Sequence, residues 1–312
     1  MFWLLESNKK KQLNKAKRAL ANGDLDGAFR TVNALKSKGG KIPGIDALRA
    51  EIYAQKGEIG SAIQVLREEL RYFPNNETAR EQLRVLLPQE ESCFSDDPEF
   101  NMLLKQIIPY TMVGFERLHT LYTNAKRICY SSLYGNFVEC GVAAGGTSGL
   151  LSAVLLRHDA SCSRRLFSFD TFAGMPKPTD KDTHRGISAQ DTGWVEGTCA
   201  APLESLTALL SSLETEHLVQ PVLGFFSDTL PMTKDSIGPI AFLHMDGDWY
   251  ESTKDILINL YDQLVPGAYV QVDDYGHWEG CKDAIHDFFT ERVIEVQLHP
   301  IDYSGVYFHK PK

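Results

Sequence analysis

The sequence has few cysteines, and their spacing marks neither a disulfide framework nor a zinc ribbon. Six cysteines occur among 312 residues, and none of them forms a Cys-x-x-Cys pair. No apolar run approaches the roughly 18 residues of a membrane-spanning helix. The apolar stretch ahead of Glu6 is too short for the core of a signal peptide. These absences predict a cytoplasmic protein with reduced thiols.

An excess of positive charge is also missing. The chain has 32 Lys and Arg against 41 Asp and Glu, a net charge of −9, which argues against a general nucleic-acid-binding protein. The charge is uneven, since residues 1–90 carry 16 basic and 11 acidic residues, and residues 91–312 carry 16 and 30. At roughly 150 residues per domain, the length predicts about two domains. The uneven charge supports two units with different roles.

The N-terminal part contains a repeat. Residues 23–28, Gly-Asp-Leu-Asp-Gly-Ala, match residues 57–62, Gly-Glu-Ile-Gly-Ser-Ala, at an offset of 34 residues. This offset is the period of tetratricopeptide repeats, in which a turn joins two closely packed helices. Residues 1–90 are therefore predicted to be a tetratricopeptide-like helical region. This region would either bind a protein partner or a second copy in a homo-oligomer, or only cover one side of the main domain.

A polar, acidic segment at residues 91–99 has the composition of a linker. From residue 100 onward, short apolar strand patterns alternate with helical patterns. The strands are expected at 136–140, 166–169, 221–225, 240–245 and 268–272. This alternation predicts an α/β domain over residues 100–312, with a doubly wound, mostly parallel sheet. Ligands of such sheets bind at the carboxyl ends of the strands.

Two motifs at predicted strand ends suit a nucleoside ligand with an amino-acid tail. In the turn after the first strand, Gly141 and Gly145 let the backbone approach a ligand. The spacing Gly-x-x-x-Gly-Gly differs from the dinucleotide fingerprint, and Glu139 ahead of it suits a cationic amino group. Asp170, after the second strand, is placed to bind both ribose hydroxyls of NAD or S-adenosylmethionine. A tight turn and a helix cap are the purely structural alternatives.

Acidic residues follow the last two predicted strands. Asp246 follows the strand at 240–245, and Asp273 and Asp274 follow the last strand. Adjacent strands would bring these carboxylates together, where they would repel one another unless a cation joined them. Ligands that are all oxygen favour Mg²⁺, Mn²⁺ or Ca²⁺ over zinc. Asp248 is expected to face elsewhere, as part of a cap or turn.

Together these strings resemble the macrocin O-methyltransferase family, the TylF-type enzymes of natural-product sugar methylation. The matching pieces are PYTM at 109–112, FVECGVAAGG at 137–146, FDTFAGMP at 169–176, GFFSDTLP at 224–231, HMDGDWYEST at 244–253 and VDDYGHWEGCKDAI at 272–285. The resemblance covers residues 109–312. It implies a Rossmann-like class I methyltransferase fold, S-adenosylmethionine, and a divalent metal ion, Mg²⁺ or Mn²⁺.

The resemblance also implies roles for single residues. The cofactor would be bound by Thr111, Met112, Glu139, Gly141, Gly145, Asp170, Thr171, Phe226, Ser227 and Asp228. Glu139 and the two glycines would border the methionine part, Asp170 would hold the ribose, and residues 226–228 would lie by the adenine. The metal ion would be bound by Asp246, Asp273 and Asp274.

The predicted reaction is metal-assisted transfer of a methyl group to a hydroxyl of a sugar or glycosylated small molecule. A metal ion would lower the pKa of this hydroxyl and orient it. Asp246 is the first candidate base and His277 the second, since the ordinary pKa of histidine suits proton transfer. Residues 177–200 are expected to form a lid, with Trp194 facing the substrate. A catechol-type methyltransferase and a non-catalytic S-adenosylmethionine-binding scaffold are the open alternatives.

Overall fold

The structure, a computed structural model, describes residues 2–36, 42–73, 75–86, 95–160 and 163–311. The chain forms two compact units, of which the first takes Met1–Phe94 with Ile187–Val195, and the second takes Ser95–Gly186 with Glu196–Lys312. Residues 91–94 of the predicted linker lie outside the described residues. Among the residues that are described, no helix is long and apolar enough to cross a membrane.

The first unit is helical. Its helices are α1 (Phe2–Ala21), α2 (Leu25–Lys36), α3 (Ile45–Gln55), α4 (Ile59–Tyr72) and α5 (Glu77–Leu86). Helix α1 packs on α2, and α3 packs on α4. The two turns, at Gly23 and Gly57, are equivalent, both with a φ of 78°, and the alanines that follow them, Ala28 and Ala62, are fully buried. The tetratricopeptide character, and the docking and self-association inferred from it, stay predictions.

A segment from the middle of the chain completes this unit. Within residues 187–195, Ala189 is fully buried and Trp194 is only 5% exposed. Trp194, predicted to face a substrate, is therefore packed inside. The buried Arg49 side chain donates to the Thr192 carbonyl oxygen over 2.6 Å and to Asp46 over 2.7 Å. These contacts tie the segment to helix α3.

The second unit alternates helices and strands. Its helices are α6 (Pro98–Ile107), α7 (Phe115–Cys129), α8 (Gly146–His158), α9 (Leu203–Ser212), α10 (Phe226–Ile237), α11 (Tyr250–Leu260) and α12 (Glu279–Glu291). The strands of the chain are β1 (Asn136–Cys140), β2 (Leu166–Asp170), β3 (Thr183–His184), β4 (Ile187–Ser188, in the first unit), β5 (Val219–Leu223), β6 (Ile240–Met245), β7 (Leu264–Val272), β8 (His299–Pro300) and β9 (Val306–His309). Pro98 and Glu99, at the end of the predicted linker, lie in α6.

The sheet of this unit has the strand order β5-β2-β1-β6-β7-β9-β8. The first five strands are parallel, and β9 and β8 are antiparallel, which confirms the predicted mostly parallel sheet. Chain order switches direction between β1 and β6, the position where such sheets bind ligands. Cys140 lies opposite Met245, and Met245 lies opposite Val272. The residues that follow these three strands are therefore side by side.

Helices α6, α7 and α8 bury one apolar cluster against the sheet. Phe100, Leu121 and Leu151 from the helices join Phe137 and Phe242 from the strands, and all five are fully buried. Removing such side chains from water contributes about 1.5–3 kcal/mol each. This packing fixes the strands whose carboxyl ends carry the predicted site.

Helix α6 begins at a charged cap. The Asp97 side chain accepts from the Glu99 and Phe100 amides over 2.9 and 3.3 Å, and from the Tyr122 hydroxyl over 2.9 Å. Lys126 Nζ lies 3.0 Å from it. Burial would raise the pKa of Asp97, but these donors outweigh burial and lower the pKa to about 2.

Replacing Asp97 with Ala is expected to lower the free energy of unfolding by about 1–2 kcal/mol, because α6 loses its cap. The half-exposed ion pair adds little. Since folding depresses this pKa, the contribution is complete above the ordinary value of 3.8 and is lost as the pH falls through about 2. Denaturant unfolding at neutral and acidic pH measures the loss. Asp97→Asn, which keeps a capping oxygen, is the control, and an equal loss in both variants would contradict the cap.

Candidate active site

The turn after β1 passes directly beside the end of β6. Gly141 and Gly145 have φ values of 97° and 103°, which side chains rarely adopt. A methyl group at Gly141 would lie 1.8 Å from the Asp246 carbonyl oxygen. The Asp246 amide in turn donates to the Cys140 carbonyl oxygen over 2.8 Å. The structure thus brings the predicted glycine turn and the first predicted acidic residue together.

Asp170 shapes the same turn. Its Oδ2 accepts from the amides of Val142 and Ala143 over 2.7 and 2.9 Å, and its Oδ1 accepts from the Phe172 amide over 2.6 Å. A carboxylate has about four acceptor positions, so three are used by the backbone. The structural alternative, an Asp that shapes the turn, is therefore observed. Binding of the ribose by the remaining acceptor position of Asp170 stays a prediction.

Glu139 is paired inside the protein. The side chain is fully buried, Oε1 lies 3.1 Å from His244 Nδ1, and Ser148 Oγ donates to Oε2. Burial would lower the pKa of His244, but Asp273 and Glu139 outweigh it and raise the pKa to about 9. The imidazole is therefore a buried cation between two carboxylates. Cofactor binding by Glu139 stays a prediction.

The other predicted cofactor residues flank this edge of the sheet. A methyl group at Gly146 would lie 2.5 Å from Thr111 Cβ, so Thr111 lies beside the start of α8, and Met112 follows it in the chain. Thr171 Oγ1 donates to the Gly174 carbonyl oxygen over 2.8 Å. The Phe226 ring borders Gly247. Ser227 and Asp228 lie in the first turn of α10, and both side chains are exposed.

Three carboxylates cluster at the ends of β6 and β7. One oxygen each of Asp246, Asp248 and Asp274 lies within 4.8 Å of the other two. Burial and mutual repulsion raise the pKa of Asp246 and Asp248 well above the usual range, and that of Asp274 to about 7. Asp274 Oδ2 is buried and has no hydrogen-bond partner in the protein. Like charges with a spare oxygen fit a divalent cation that prefers oxygen ligands.

This cluster differs from the predicted ligand set. The expectation that Asp248 faces elsewhere is wrong, because its backbone is left-handed, with a φ of 56°, and Trp278 Nε1 donates to its carboxylate over 3.1 Å. Asp273, predicted as a ligand, lies outside the cluster because its carboxylate pairs with the buried Arg117. Burial would raise the pKa of Asp273, but Arg117 and His244 outweigh it and lower the pKa.

His277, the second predicted base, follows the cluster in sequence. Its ring is buried and stacks on His184 with ring centroids 4.3 Å apart. Burial, with the nearby charge of Arg117, lowers the pKa of His277 to about 3. The ring is therefore neutral near pH 7 and a weak proton acceptor.

Sequence reasoning missed the buried charges around the cluster. Arg117 pairs with Asp273 and with Asp302, whose Oδ2 accepts from Arg117 Nε over 2.9 Å. His244 Nε2 lies 3.7 Å from Asp273 Oδ1. The one signal in the sequence is that His244 interrupts the apolar run Ile-Ala-Phe-Leu-His-Met of β6.

The chain is similar to known methyltransferases from helix α5 onward. A sequence model of the macrocin-O-methyltransferase (TylF) family matches residues 78–310. A Streptomyces olivaceus protein, 8-demethyl-8-(2,3-dimethoxy-alpha-L-rhamnosyl)-tetracenomycin-C 4'-O-methyltransferase, is 35% identical over 202 residues, which cover 64% of this chain and 76% of that protein. Demethyldecarbamoylnovobiocin O-methyltransferase of Streptomyces niveus is 32% identical over 204 residues, with 65% and 76% covered.

Solved structures agree on the fold. The O-methyltransferase NovP matches with a TM-score of 0.59 and 32% identity, over 65% of this chain and 83% of that chain. The calicheamicin methyltransferase CalS11 matches with a TM-score of 0.53 and 22% identity, over 70% and 95% of the two chains. The second unit thus has the fold of class I methyltransferases.

Proposed function

Because the chain belongs to the macrocin-O-methyltransferase (TylF) family, we propose that it transfers a methyl group from S-adenosylmethionine to a hydroxyl of a sugar or glycosylated small molecule, assisted by a divalent cation. The rhamnosyl group in the name of the S. olivaceus relative supports a sugar as the acceptor. The family match supports the transfer reaction, and the acid cluster supports the metal assistance.

One observation carries this proposal, namely the meeting of the glycine turn and the acid cluster at one edge of the sheet. Gly141 touches the backbone of Asp246, so a donor bound at the turn and an acceptor bound at the cluster would be neighbours. Methyl transfer needs the acceptor oxygen in line with the methyl carbon, and holding both groups in place supplies much of the rate.

The residues of the cluster would have separate tasks. When bound, S-adenosylmethionine supplies the methyl group on a sulfonium, and the divalent cation supplies a Lewis acid that lowers the pKa of the acceptor hydroxyl. Asp246, Asp248 and Asp274 would hold the cation, and Mg²⁺ or Mn²⁺ suits three carboxylates. Asp246 is the proposed proton acceptor because its backbone is fixed against the turn where the donor would lie. The low pKa of His277 makes it the weaker candidate.

A methyl-transfer assay with the full chain tests the proposed function. Labelled S-adenosylmethionine is offered with a panel of glycosides and catechols. We expect methylated glycosides, no product in EDTA, and recovery when Mg²⁺ is added back in excess. Methylation of catechols alone would support the aromatic-diol alternative, and full activity after exhaustive chelation would contradict metal assistance.

The ligand set can be tested by Mg²⁺ affinity. Asp274→Asn is expected to weaken Mg²⁺ binding by about 100-fold or more, because the cluster loses a charged ligand, whereas Asp273→Asn should weaken it by about tenfold, the lower end of the range for residues that do not touch the metal. The difference arises because the Asp273 carboxylate is already engaged by Arg117. Calorimetry on the full-length variants measures both affinities. The opposite order would favour the set Asp246, Asp273 and Asp274.

A further inference from the structure

The turn between β8 and β9, residues 301–305, is bonded to the loop that carries the acidic residues. Because β9 pairs with β7, this turn borders the residues that follow β7. The Gly276 amide donates to the Ser304 carbonyl oxygen over 2.7 Å. Ser304 Oγ donates to the Asp273 carbonyl oxygen over 2.6 Å. The turn therefore lies at the same sheet edge as the cluster.

Buried charges fix the shape of this turn. Asp302 Oδ1 accepts from the Ser304 and Gly305 amides over 2.9 and 2.7 Å. The other oxygen of Asp302 accepts from Arg117 Nε over 2.9 Å, and the same guanidinium pairs with Asp273. Arg117 is 7% exposed, so water competes little for these bonds. One arginine thus links the turn to the loop that carries the acids.

An aromatic side chain stands at the tip of this turn. Tyr303 is 51% exposed, although the residues around it are held by the contacts above. Its ring centroid lies 6.4 Å from that of His277, and the Arg117 guanidinium carbon lies 6.0 Å from the Tyr303 ring centroid. The ring is therefore a partly solvent-facing surface next to His277 and Arg117, on a turn that is bonded to the loop carrying Asp273 and Asp274.

We propose that Tyr303 is an acceptor-binding residue, whose ring stacks on the sugar ring that presents its hydroxyl to the cluster. An aromatic face offers a large apolar surface to the C–H groups of a sugar, and the ordered turn reduces the entropy lost on binding. Arg117 and Asp302 are positioning residues, because they hold the turn without reaching the acceptor. This inference rests on the proposed function.

The test compares variants of the full chain with 4-nitrophenyl α-L-rhamnoside as the acceptor. Tyr303→Ala should raise the KM for the rhamnoside by about tenfold, with kcat changed by less than about twofold. The KM for S-adenosylmethionine should stay the same. Tyr303→Phe keeps the ring and should behave as wild type. Asp302→Asn, which loosens the turn, should raise the rhamnoside KM by about threefold, again with little change in kcat.

Tyr134→Ala is the matched control. Tyr134 is 64% exposed, and it precedes β1, at the opposite end of the parallel strands. This variant should keep both KM values. An unchanged rhamnoside KM in Tyr303→Ala would overturn the subsite while leaving the proposed function intact. Absence of glycoside methylation by the wild-type chain would overturn the proposed function itself, and the subsite with it.

Discussion

Replacing Asp246 with Asn is expected to slow methyl transfer by about 10²–10⁴-fold, the range typical for loss of a proton-transfer group. The change removes one of the three clustered carboxylates and the proposed proton acceptor, while Asn keeps the size of the side chain. The affinity for S-adenosylmethionine should change little, because the contact with Gly141 involves the Asp246 backbone. Turnover of a glycoside that the wild-type chain methylates gives kcat, and calorimetry gives the cofactor affinity.

Two comparisons make this result specific. Asp235→Asn, an exposed position on α10, should leave kcat unchanged. His277→Ala should cost less than Asp246→Asn, because the neutral ring of His277 accepts a proton poorly. A kcat of Asp246→Asn within about threefold of wild type would mean that the clustered carboxylates are structural and that the metal-assisted mechanism is wrong.

Replacing Gly141 with Ala is expected to disrupt both halves of the site at once. The added methyl group would lie 1.8 Å from the Asp246 carbonyl oxygen, and φ at this position is 97°. The turn can accept the methyl group only by moving away from β6, so we expect a loss of about 3–5 kcal/mol in the free energy of unfolding. Any folded fraction should bind S-adenosylmethionine poorly and lose more than about 100-fold in kcat/KM.

Gly186→Ala separates close approach from backbone strain. Gly186 also has a left-handed φ, 71°, but no atom lies within 4 Å of an added methyl group. Only backbone strain remains for Gly186→Ala. We therefore expect the free energy of unfolding to fall by about 1 kcal/mol and kcat/KM to stay at the wild-type value. Thermal unfolding and S-adenosylhomocysteine titration measure both variants. Similar losses at the two positions would show that contact with Asp246 is unimportant.

Strands β1, β2 and β6 could be predicted from the sequence because their apolar runs are nearly continuous, whereas β5, expected at 221–225, lies at Val219–Leu223 and is only partly buried. Strand β6 has the predicted bounds, 240–245, and every residue in it is buried. Strand β7 begins at Leu264, four residues before the predicted start at 268. The sequence pattern misses these residues because Pro266 and Gly267 are typical of a turn. The structure accommodates them at an irregularity in the pairing of β6 with β7. Sequence patterns therefore predict where a strand lies better than they predict the residue at which an irregular strand begins or ends.

The location of the site could be predicted for a related reason, because parallel strands bring their carboxyl ends to one edge. Which residues form the acid cluster could not be predicted from the sequence. Asp273 is engaged by Arg117, which is 156 residues away in the chain and lies in a helix that the sequence marks only as amphipathic. Asp248 belongs to the cluster because its backbone is left-handed, and the residue type alone does not predict this conformation. Both depend on contacts that exist only after folding.

The segment that completes the helical unit has a consequence for the order of synthesis. Helices α1–α5 leave the ribosome long before residues 187–195, which supply the buried Ala189 and Trp194 and the carbonyl partner of Arg49. The first unit therefore cannot reach its final packing until residues 95–186 have also been made. We expect nascent chains that end before residue 187 to be cleaved by protease within α1–α5, and chains that extend past residue 195 to resist. A chimera that exchanges the helical unit would likewise need to carry residues 187–195 with it.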